Sequence, residues 1–354
     1  MNKDDPYKKK RSKKRQRKWL ASNVQKDDSE DELKNSKKSM VYITHKINWS
    51  RILCTRRGWI KEFNDMIANY VSYFKEISIF RGYSGIVLQA QFSSDGSNIV
   101  SCFEQGSILV FDTKLENRVE GVQFLHDNNN IVSCSSDDTI KISNLNSRTV
   151  IQNFNTNSTG LTGIRVSPNY CIIASCSRDK IIRLWDIRSG QSIQQMEGHL
   201  DYITNINFSL SGYKIISSSL DKTIRLWDIR KGYEIQQLIG HSKVVTNSQF
   251  SFNENIVISS SLDKTIGLWD LITGKQFKQI QGHKKGVTNV QISFDSLFII
   301  SSSYDKTIRL WDFKSGQEME RLQNHSDTVT GVQFSPNGKQ ILSWSWDQTI
   351  RIWE

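Results

Sequence analysis

The stretch SSSLDKTIRLWD, from Ser217 to Asp228, decides the fold because the chain repeats it. It returns almost unchanged as SSSYDKTIRLWD from Ser301 to Asp312. Trp-Asp pairs recur every 42 residues from Trp185–Asp186 onward, and the last copy of the pair reads Trp353–Glu354. A fixed period of this length predicts a series of stacked structural units, not one irregular core.

Two further units precede the regular ones. One keeps the frame at Ser143 without its Trp, and another ends at Phe111–Asp112, only 32 residues earlier. Short alternating runs between turn signals predict four strands in each of seven units. These repeats resemble the WD40 (G-beta-like) family, which implies an all-β, seven-bladed β-propeller that holds other proteins. Because this spacing is ten residues shorter than the regular 42, we expect a thin first blade with a reduced outer strand.

The phase of the repeat predicts how the ring closes. The last unit stops at its third strand, whereas EISIFRGYSG (Glu76–Gly85) aligns with EIQQLIGHSK (Glu234–Lys243). We therefore expect Ile77–Phe80 to supply the missing outer strand, which defines a propeller over 76–354. A closed ring leaves only short exposed strand edges.

Four units carry His, Ser, Asp and Trp at constant offsets, and we call each set a tetrad. A catalytic triad needs one nucleophile beside an oxyanion hole, and the chain has no G-x-S-x-G motif. We expect neither catalytic residues nor enzymatic activity. Instead, Asp accepts from the imidazole, which reaches the Ser hydroxyl, and Ser accepts the indole N–H. The tetrads are His199, Ser217, Asp221 and Trp227; His241, Ser259, Asp263 and Trp269; His283, Ser301, Asp305 and Trp311; and His325, Ser343, Asp347 and Trp353.

The earlier units keep only part of this pattern. The third replaces the His with Asn157, and the second has Ser143 where the Trp should be. In the first, Gln105 and Phe111 stand at the Asp and Trp positions. We expect blades one and two to be the least stable part of the ring.

The cysteines do not form a metal-binding pattern. All five lack a C-x-x-C pair or a His at ligand spacing, so we expect neither a metal nor a cofactor. No signal peptide or apolar stretch of membrane length is present, which favours a nuclear or cytoplasmic, non-secreted protein without a membrane partner. We expect the propeller to be monomeric.

The first 80 residues differ in composition from the rest. They hold 20 Lys and Arg against 10 Asp and Glu, whereas residues 81–354 hold 27 against 26. We interpret 1–45 as a basic disordered tail. Its run Lys8–Lys18 is a nuclear-import signal, a nucleic-acid-binding arm or a solvated segment, and the acidic patch Asp27–Glu32 follows it.

Residues 46–75 are predicted to be helical. Apolar side chains at spacings of three and four, from Trp59 through Phe63, Met66 and Tyr70 to Phe74, form one face of an amphipathic helix. That face either packs on the propeller, which we favour, or binds another chain.

The WD40 resemblance places partner contacts on the face that carries the turns before each Asp and the loops between blades. The corresponding residues are Arg178, Leu220, Leu262, Tyr304 and Trp346 from the turns, and Tyr202, Thr204, Thr246, Thr288 and Thr330 from the loops. Five of them would form an apolar arc over blades four to seven: Tyr202, Leu220, Leu262, Tyr304 and Trp346. With few charges nearby, this arc favours a peptide with an apolar or small anchor.

Two functions follow. The first is a non-enzymatic protein-interaction scaffold that binds protein or peptide partners on this face. The alternative is a nuclear RNA-associated assembly factor, in ribosome biogenesis or splicing, that uses the basic arm Lys8–Lys18.

Overall fold

The computed structural model describes residues 74–80, 85–105, 107–108, 111–114 and 119–354. Within these ranges the chain forms 28 strands and no helix. The strands make seven antiparallel sheets of four strands each, and every sheet is one blade. The predicted all-β class and seven-bladed propeller are therefore confirmed. The predicted basic tail, 1–45, and residues 46–73 of the predicted helical segment lie outside the described residues.

The blades follow one another in chain order, and the strands of each blade are named from the innermost to the outermost. Blade one contains β2 (Val87–Phe92), β3 (Ile99–Phe103), β4 (Ser107–Ile108) and β5 (Phe111–Lys114). Blade two contains β6 (Val119–Phe124), β7 (Asn130–Ser135), β8 (Thr139–Asn144) and β9 (Thr149–Asn155). Blade three contains β10 (Leu161–Val166), β11 (Ile172–Ser177), β12 (Ile181–Asp186) and β13 (Ser192–Glu197).

Blades four to seven carry the regular repeats. Blade four contains β14 (Ile203–Phe208), β15 (Lys214–Ser219), β16 (Thr223–Asp228) and β17 (Glu234–Ile239). Blade five contains β18 (Val245–Phe250), β19 (Ile256–Ser261), β20 (Thr265–Asp270) and β21 (Lys275–Gln281). Blade six contains β22 (Val287–Ile292), β23 (Phe298–Ser303), β24 (Ile308–Asp312) and β25 (Glu318–Leu322). Blade seven contains β26 (Val329–Phe334), β27 (Ile341–Ser345), β28 (Ile350–Trp353) and, from the other end of the propeller, β1 (Glu76–Phe80).

The ring closes by the strand that the repeat phase predicts. β1 pairs antiparallel with β28, and Phe80 lies opposite Ile350. The pairing continues past the predicted strand, because Lys75 and Glu354 exchange two backbone hydrogen bonds of 2.7 and 2.8 Å. Phe74 packs against the core between blades six and seven. The helix prediction is therefore wrong for these last two residues, which are not helical, and Lys75 continues the pairing of the closing strand.

The core is a ring of interfaces. Each of its seven clusters of buried apolar side chains takes residues from two adjacent blades. Between blades three and four, for example, Leu184 and Met196 pack with Ile206 and Trp227. Each blade thus depends on its two neighbours, as in other repeat architectures.

Blade one departs from the predicted alignment. Its third strand has only two residues, and Phe111, which we aligned with the repeated Trp, begins the outer strand and pairs with Ile108. The deficit therefore shortens the third strand, while the outer strand that we expected to be reduced keeps four residues. Because this repeat is ten residues short, it has too few residues for both a full third strand and a full outer strand. The blade is short but still has four strands.

Candidate functional site

The tetrad of blade five forms an unbroken chain of hydrogen bonds. His241 Nδ1 lies 2.8 Å from Asp263 Oδ2, and His241 Nε2 lies 2.7 Å from Ser259 Oγ. Trp269 Nε1 donates to the same Oγ at 2.8 Å. An imidazole that donates through Nδ1 to the carboxylate accepts the serine proton at Nε2, which satisfies every buried polar atom of the set. Blades four, six and seven repeat these bonds at 2.7–2.9 Å.

Each tetrad carboxylate also fixes the surrounding backbone. Asp263 accepts hydrogen bonds from Ser242 N at 3.1 Å and from Thr265 N at 3.0 Å. Partial burial acts to raise the pKa of Asp263, but hydrogen bonds from His241 and Thr265 hold it well below its usual range. The carboxylate therefore joins the loop, the turn and the third strand of one blade.

The tetrads have no access to a substrate. Their four serines, Ser217, Ser259, Ser301 and Ser343, are 0% exposed, and each hydroxyl oxygen already accepts an indole N–H. A nucleophile must reach a bound substrate beside an oxyanion hole. The arrangement thus stabilises the blade and offers no exposed catalytic serine.

The incomplete tetrads keep only part of the hydrogen-bond network of the complete ones. In blade three, where Asn157 replaces the His, Asp179 pairs with Arg183 at 2.7 Å, and Trp185 keeps its 2.9 Å bond to Ser175. In blade two, Asp137 accepts a hydrogen bond from Thr139 Oγ1 at 2.6 Å. Blade one has a buried Ser101 whose Oγ has no hydrogen-bond partner among the described residues. The lower stability of blades one and two stays a prediction.

The predicted turn and loop residues meet on one face of the ring. In each regular blade the backbone N–H of the turn residue donates to a carbonyl of the loop that enters the inner strand. These bonds join Leu220 to Tyr202, Leu262 to Val244, Tyr304 to Gly286 and Trp346 to Thr328, at 2.9–3.0 Å. Arg178 is joined to Gly160 in the same way. The turns and loops of each blade therefore present their side chains together.

Part of this face forms an open depression of about 540 Å³ across blades five, six and seven, and we call it the face depression. Its apolar lining is Leu262, Tyr304 and Trp346. The last two rings meet edge to face, with centroids 5.8 Å apart, and Trp346 is 40% exposed. Tyr202 and Leu220 of blade four do not line it. The depression therefore covers three of the four blades of the predicted arc, and partner contacts at Tyr202 and Leu220 stay a prediction.

Gly286 determines the shape of this lining. A Cβ at position 286 would lie 2.9 Å from Leu262 Cδ2 and 3.1 Å from Leu262 Cα, which is closer than real Cβ atoms approach comfortably. Only glycine therefore lets the loop of blade six pack this tightly against the turn of blade five.

One family accounts for the whole propeller. The family described as WD domain, G-beta repeat matches residues 74–112, 114–143, 148–186, 190–228, 232–270, 274–312 and 316–354. The chain belongs to this family. Each WD40 match after the first begins near the outer strand of one blade and ends at the third strand of the next, whereas the first runs from the closing strand β1 to the start of β5. A search of curated proteins found no match to the chain. WD40 propellers are typical of protein-interaction scaffolds.

Sequence reasoning missed the charges around the face depression. Lys243, Lys285, Lys306 and Asp327 also line it, so the expectation of few charges there is wrong. The signal was present, because Lys follows the tetrad Asp in blades four, five and six of this WD40 chain, and the loops after His241 and His283 contain Lys. These loop residues differ between blades, so the repeat period does not identify them as a common feature.

The predicted loop threonines hold the ring together. Thr204, Thr246, Thr288 and Thr330 donate their hydroxyls to inner-strand carbonyls of the next blade, at Val245, Val287, Val329 and Val87, over 2.5–3.1 Å. All four are half-buried. Because adjacent inner strands belong to separate sheets, these side chains supply one of the links between them, beside Asn and Gln side chains such as Asn207 and Gln249. The threonine hydroxyls are committed to the WD40 ring, and contact of these half-buried side chains with a partner stays a prediction.

The buried cysteines are poor nucleophiles and do not form a metal centre. Burial raises the pKa of the Cys134 thiol and raises that of Cys176 to about 11. Among the described residues no group of three or more His, Cys, Asp or Glu side chains is placed to hold a metal ion. Within the described ranges the chain has no helix with the length and apolar composition that crossing a membrane requires.

Proposed function

We propose that this WD40 protein is a non-enzymatic docking scaffold whose partners bind at the face depression. The observation that carries this proposal is the aromatic pair Tyr304 and Trp346, which stands open beside Leu262 on a rigid face. Aromatic side chains at the centre of an interface supply most of its binding energy, because they bury much apolar area at small entropic cost.

Rigidity supports the same conclusion. The turns that carry both rings are fixed by backbone hydrogen bonds to Gly286 and Thr328, and by the tetrads beneath them. A site that is ordered before binding loses little conformational entropy when a partner arrives. The tetrads therefore serve the binding face indirectly, by holding its turns in place.

The test compares two double variants. Tyr304→Ala with Trp346→Ala removes the open pair, whereas Phe252→Ala with Phe294→Ala removes a matched pair on the opposite face, where ring centroids are 4.3 Å apart and the side chains are 46% and 73% exposed. Each anchor contributes about 2 kcal/mol, so the first variant loses at least thirtyfold in affinity. Co-purified proteins should be depleted from the first variant and retained by the second.

Melting temperatures control for folding in this comparison, since none of the four rings belongs to a tetrad. If the folded first variant retains every partner, the face depression is not the docking site. If the second variant alone loses partners, docking occurs on the opposite face.

The alternative function is RNA-associated assembly through the basic arm. Its support is the sequence, where Lys8–Lys18 places nine basic residues in eleven positions. Binding to RNA that falls steeply with salt, and that disappears when residues 1–20 are deleted, would favour it. Nuclear or cytoplasmic location remains a prediction, which fluorescent tagging of the intact protein would check.

A further inference from the structure

Three lysines surround the apolar lining of the face depression. Lys243 and Lys285 come from the loops that enter the inner strands of blades five and six, and Lys306 comes from the turn of blade six. The acidic residue in the lining is Asp327. Residues 81–354 as a whole hold 27 basic against 26 acidic side chains. The positive charge at the depression is therefore a local concentration and not a general property of the propeller.

Two of these charges are available to a partner. Lys306 Nζ donates to Ser326 O at 2.6 Å and lies 4.0 Å from Asp327 Oδ1, so this lysine and this carboxylate largely compensate each other. Lys243 and Lys285 are exposed, and neither ammonium group has a hydrogen bond or ion pair within the part of the chain that the structure describes. The depression therefore keeps two uncompensated positive charges.

The backbone under these two lysines is fixed. Ser261 Oγ donates to Lys243 O at 3.3 Å, and Ser303 Oγ donates to the carbonyl of Gly286, the residue after Lys285, at 2.8 Å. Each serine lies in the strand that leads into its own turn, so loop and turn are tied together. The two ammonium groups thus extend from anchored positions beside Leu262 and Tyr304.

We propose that the face depression binds an acidic peptide segment in which an apolar side chain is flanked by Asp or Glu. This inference rests on the proposed docking function and specifies its partner. The apolar anchor contacts Leu262, Tyr304 and Trp346, while the flanking carboxylates face Lys243 and Lys285. Complementary charge of this kind increases the association rate and rejects basic segments.

The geometry favours a peptide over a single-stranded nucleic acid. Nucleic-acid platforms stack successive bases on aromatic faces along a continuous basic groove. Here the planes of Tyr304 and Trp346 are 84° apart, so the two rings do not offer parallel faces to adjacent bases. The apolar lining of three side chains suits one anchor residue.

The experiment selects binders to the intact protein from a random peptide library displayed on phage. The enriched peptides should carry Asp or Glu next to Leu, Phe or Trp. Affinity for a selected peptide should fall about tenfold or more in the variant Lys243→Glu with Lys285→Glu, and it should weaken as salt is raised. A peptide with Lys in place of its acidic residues should bind this variant better than it binds the original protein.

A matched control changes two exposed lysines away from the depression, through Lys275→Glu with Lys339→Glu. This variant should bind the selected peptides with unchanged affinity. The inference is overturned if enriched peptides are neutral or basic, if both double variants behave alike, or if no selected peptide depends on Lys243 and Lys285. It is also overturned if a single-stranded oligonucleotide, but no peptide, binds through these lysines.

The outcomes separate this inference from the proposed function. Peptides that require Tyr304 and Trp346 but ignore the two lysines leave the docking function standing and remove the acidic specificity. Peptides that ignore the aromatic pair as well contradict the docking function itself.

Discussion

Arg351, in the last strand of the propeller, donates a hydrogen bond from Nη1 to the carboxylate of Glu76, in its first strand. The two residues are 275 positions apart. The same pair occurs inside blade six, where Arg309 and Glu318 are nine positions apart. The ring is therefore closed by the ion pair that elsewhere joins the third strand of a blade to its own outer strand.

Loss of this closing pair should destabilise the protein more than loss of an equivalent internal pair. Glu76→Ala removes the shorter ion pair of the largely buried Arg351, which keeps only the longer one to Asp347 at 3.9 Å, and we expect a loss of about 1–2 kcal/mol in the free energy of unfolding. Glu234→Ala is the matched control, because it breaks the pair with Arg225 inside the covalently continuous blade four. Chemical unfolding measures both, and equal losses would contradict a special role in closure.

The packing of blade seven against blade one depends on a glycine that lies opposite a tryptophan. Gly331 lies opposite Trp344, and a Cβ on Gly331 would lie 2.0 Å from Trp344 Cζ2. Trp344 Nε1 also donates to Leu88 O of blade one at 3.2 Å. We expect Gly331→Ala to cost roughly 1–3 kcal/mol, because Trp344 must leave its packed position.

Two comparisons make this prediction specific to the tryptophan. In the background of Trp344→Ser, Gly331→Ala should cost much less, as a double-mutant cycle would show. Gly163→Ala should be mild, since its Cβ would lie 3.5 Å from Cys176 Sγ in ordinary contact. Additive effects of the changes at 331 and 344 would show that the two residues are not coupled.

Removal of a tetrad carboxylate should lower stability without removing a specific activity. Asp263→Ala leaves buried His241 without its partner, and we expect a loss of ~2–4 kcal/mol. Asp201→Ala provides a control, because the carboxylate of Asp201 accepts a hydrogen bond only from the backbone N of Tyr202 among the described residues. A shift of the melting temperature below about one degree for Asp263→Ala would contradict the structural assignment.

Acid should destabilise the propeller in two stages. Burial lowers the pKa of His283 below its usual 6.5, so the unfolded chain binds a proton that the folded protein refuses, and stability falls as pH drops from 6.5. The pKa of Asp305 is lowered as well: burial acts to raise it, but the hydrogen bond and charge of His283 prevail. The folded carboxylate thus stays ionised, and further stability is lost as pH falls below 3.8.

The variant His283→Gln isolates the first stage. Its melting temperature should be lower than that of the original protein near neutral pH, and the difference should narrow between pH ~6.5 and ~5, where only the original protein takes up this proton on unfolding. A difference that stays constant over this range would show that His283 does not keep a lowered pKa.

The sequence predicted the features that repeat. The seven blades, the tetrad spacing and the closing strand followed from one period, since Glu76 aligns with Glu234. The position of Phe111 did not follow, because a ten-residue deficit can be taken from either of two strands. Which strand is shortened depends on the strand-pairing energy that each choice would lose. The repeat period carries no information about that energy.

The candidate site shows the same limit. A period aligns residues that are equivalent, whereas Thr204 contacts Val245, which lies 41 positions away in the next blade. The role of the threonine therefore depends on the distance between blades, which the sequence does not encode locally. The charges at Lys243 and Lys285 were visible in the sequence, but their approach to Tyr304 and Trp346 depends on how the blades are arranged around the ring.

Photo-crosslinking within cells that naturally make the protein tests the docking site most directly. A photo-reactive residue in place of Asp327 lies at the face depression, where that side chain is 50% exposed, and one in place of exposed Asp295 lies on the opposite face. We predict discrete crosslinked partners from position 327 that disappear when Tyr304→Ala and Trp346→Ala are added. Crosslinks from position 295 alone, or crosslinks from 327 that survive the double change, would contradict it.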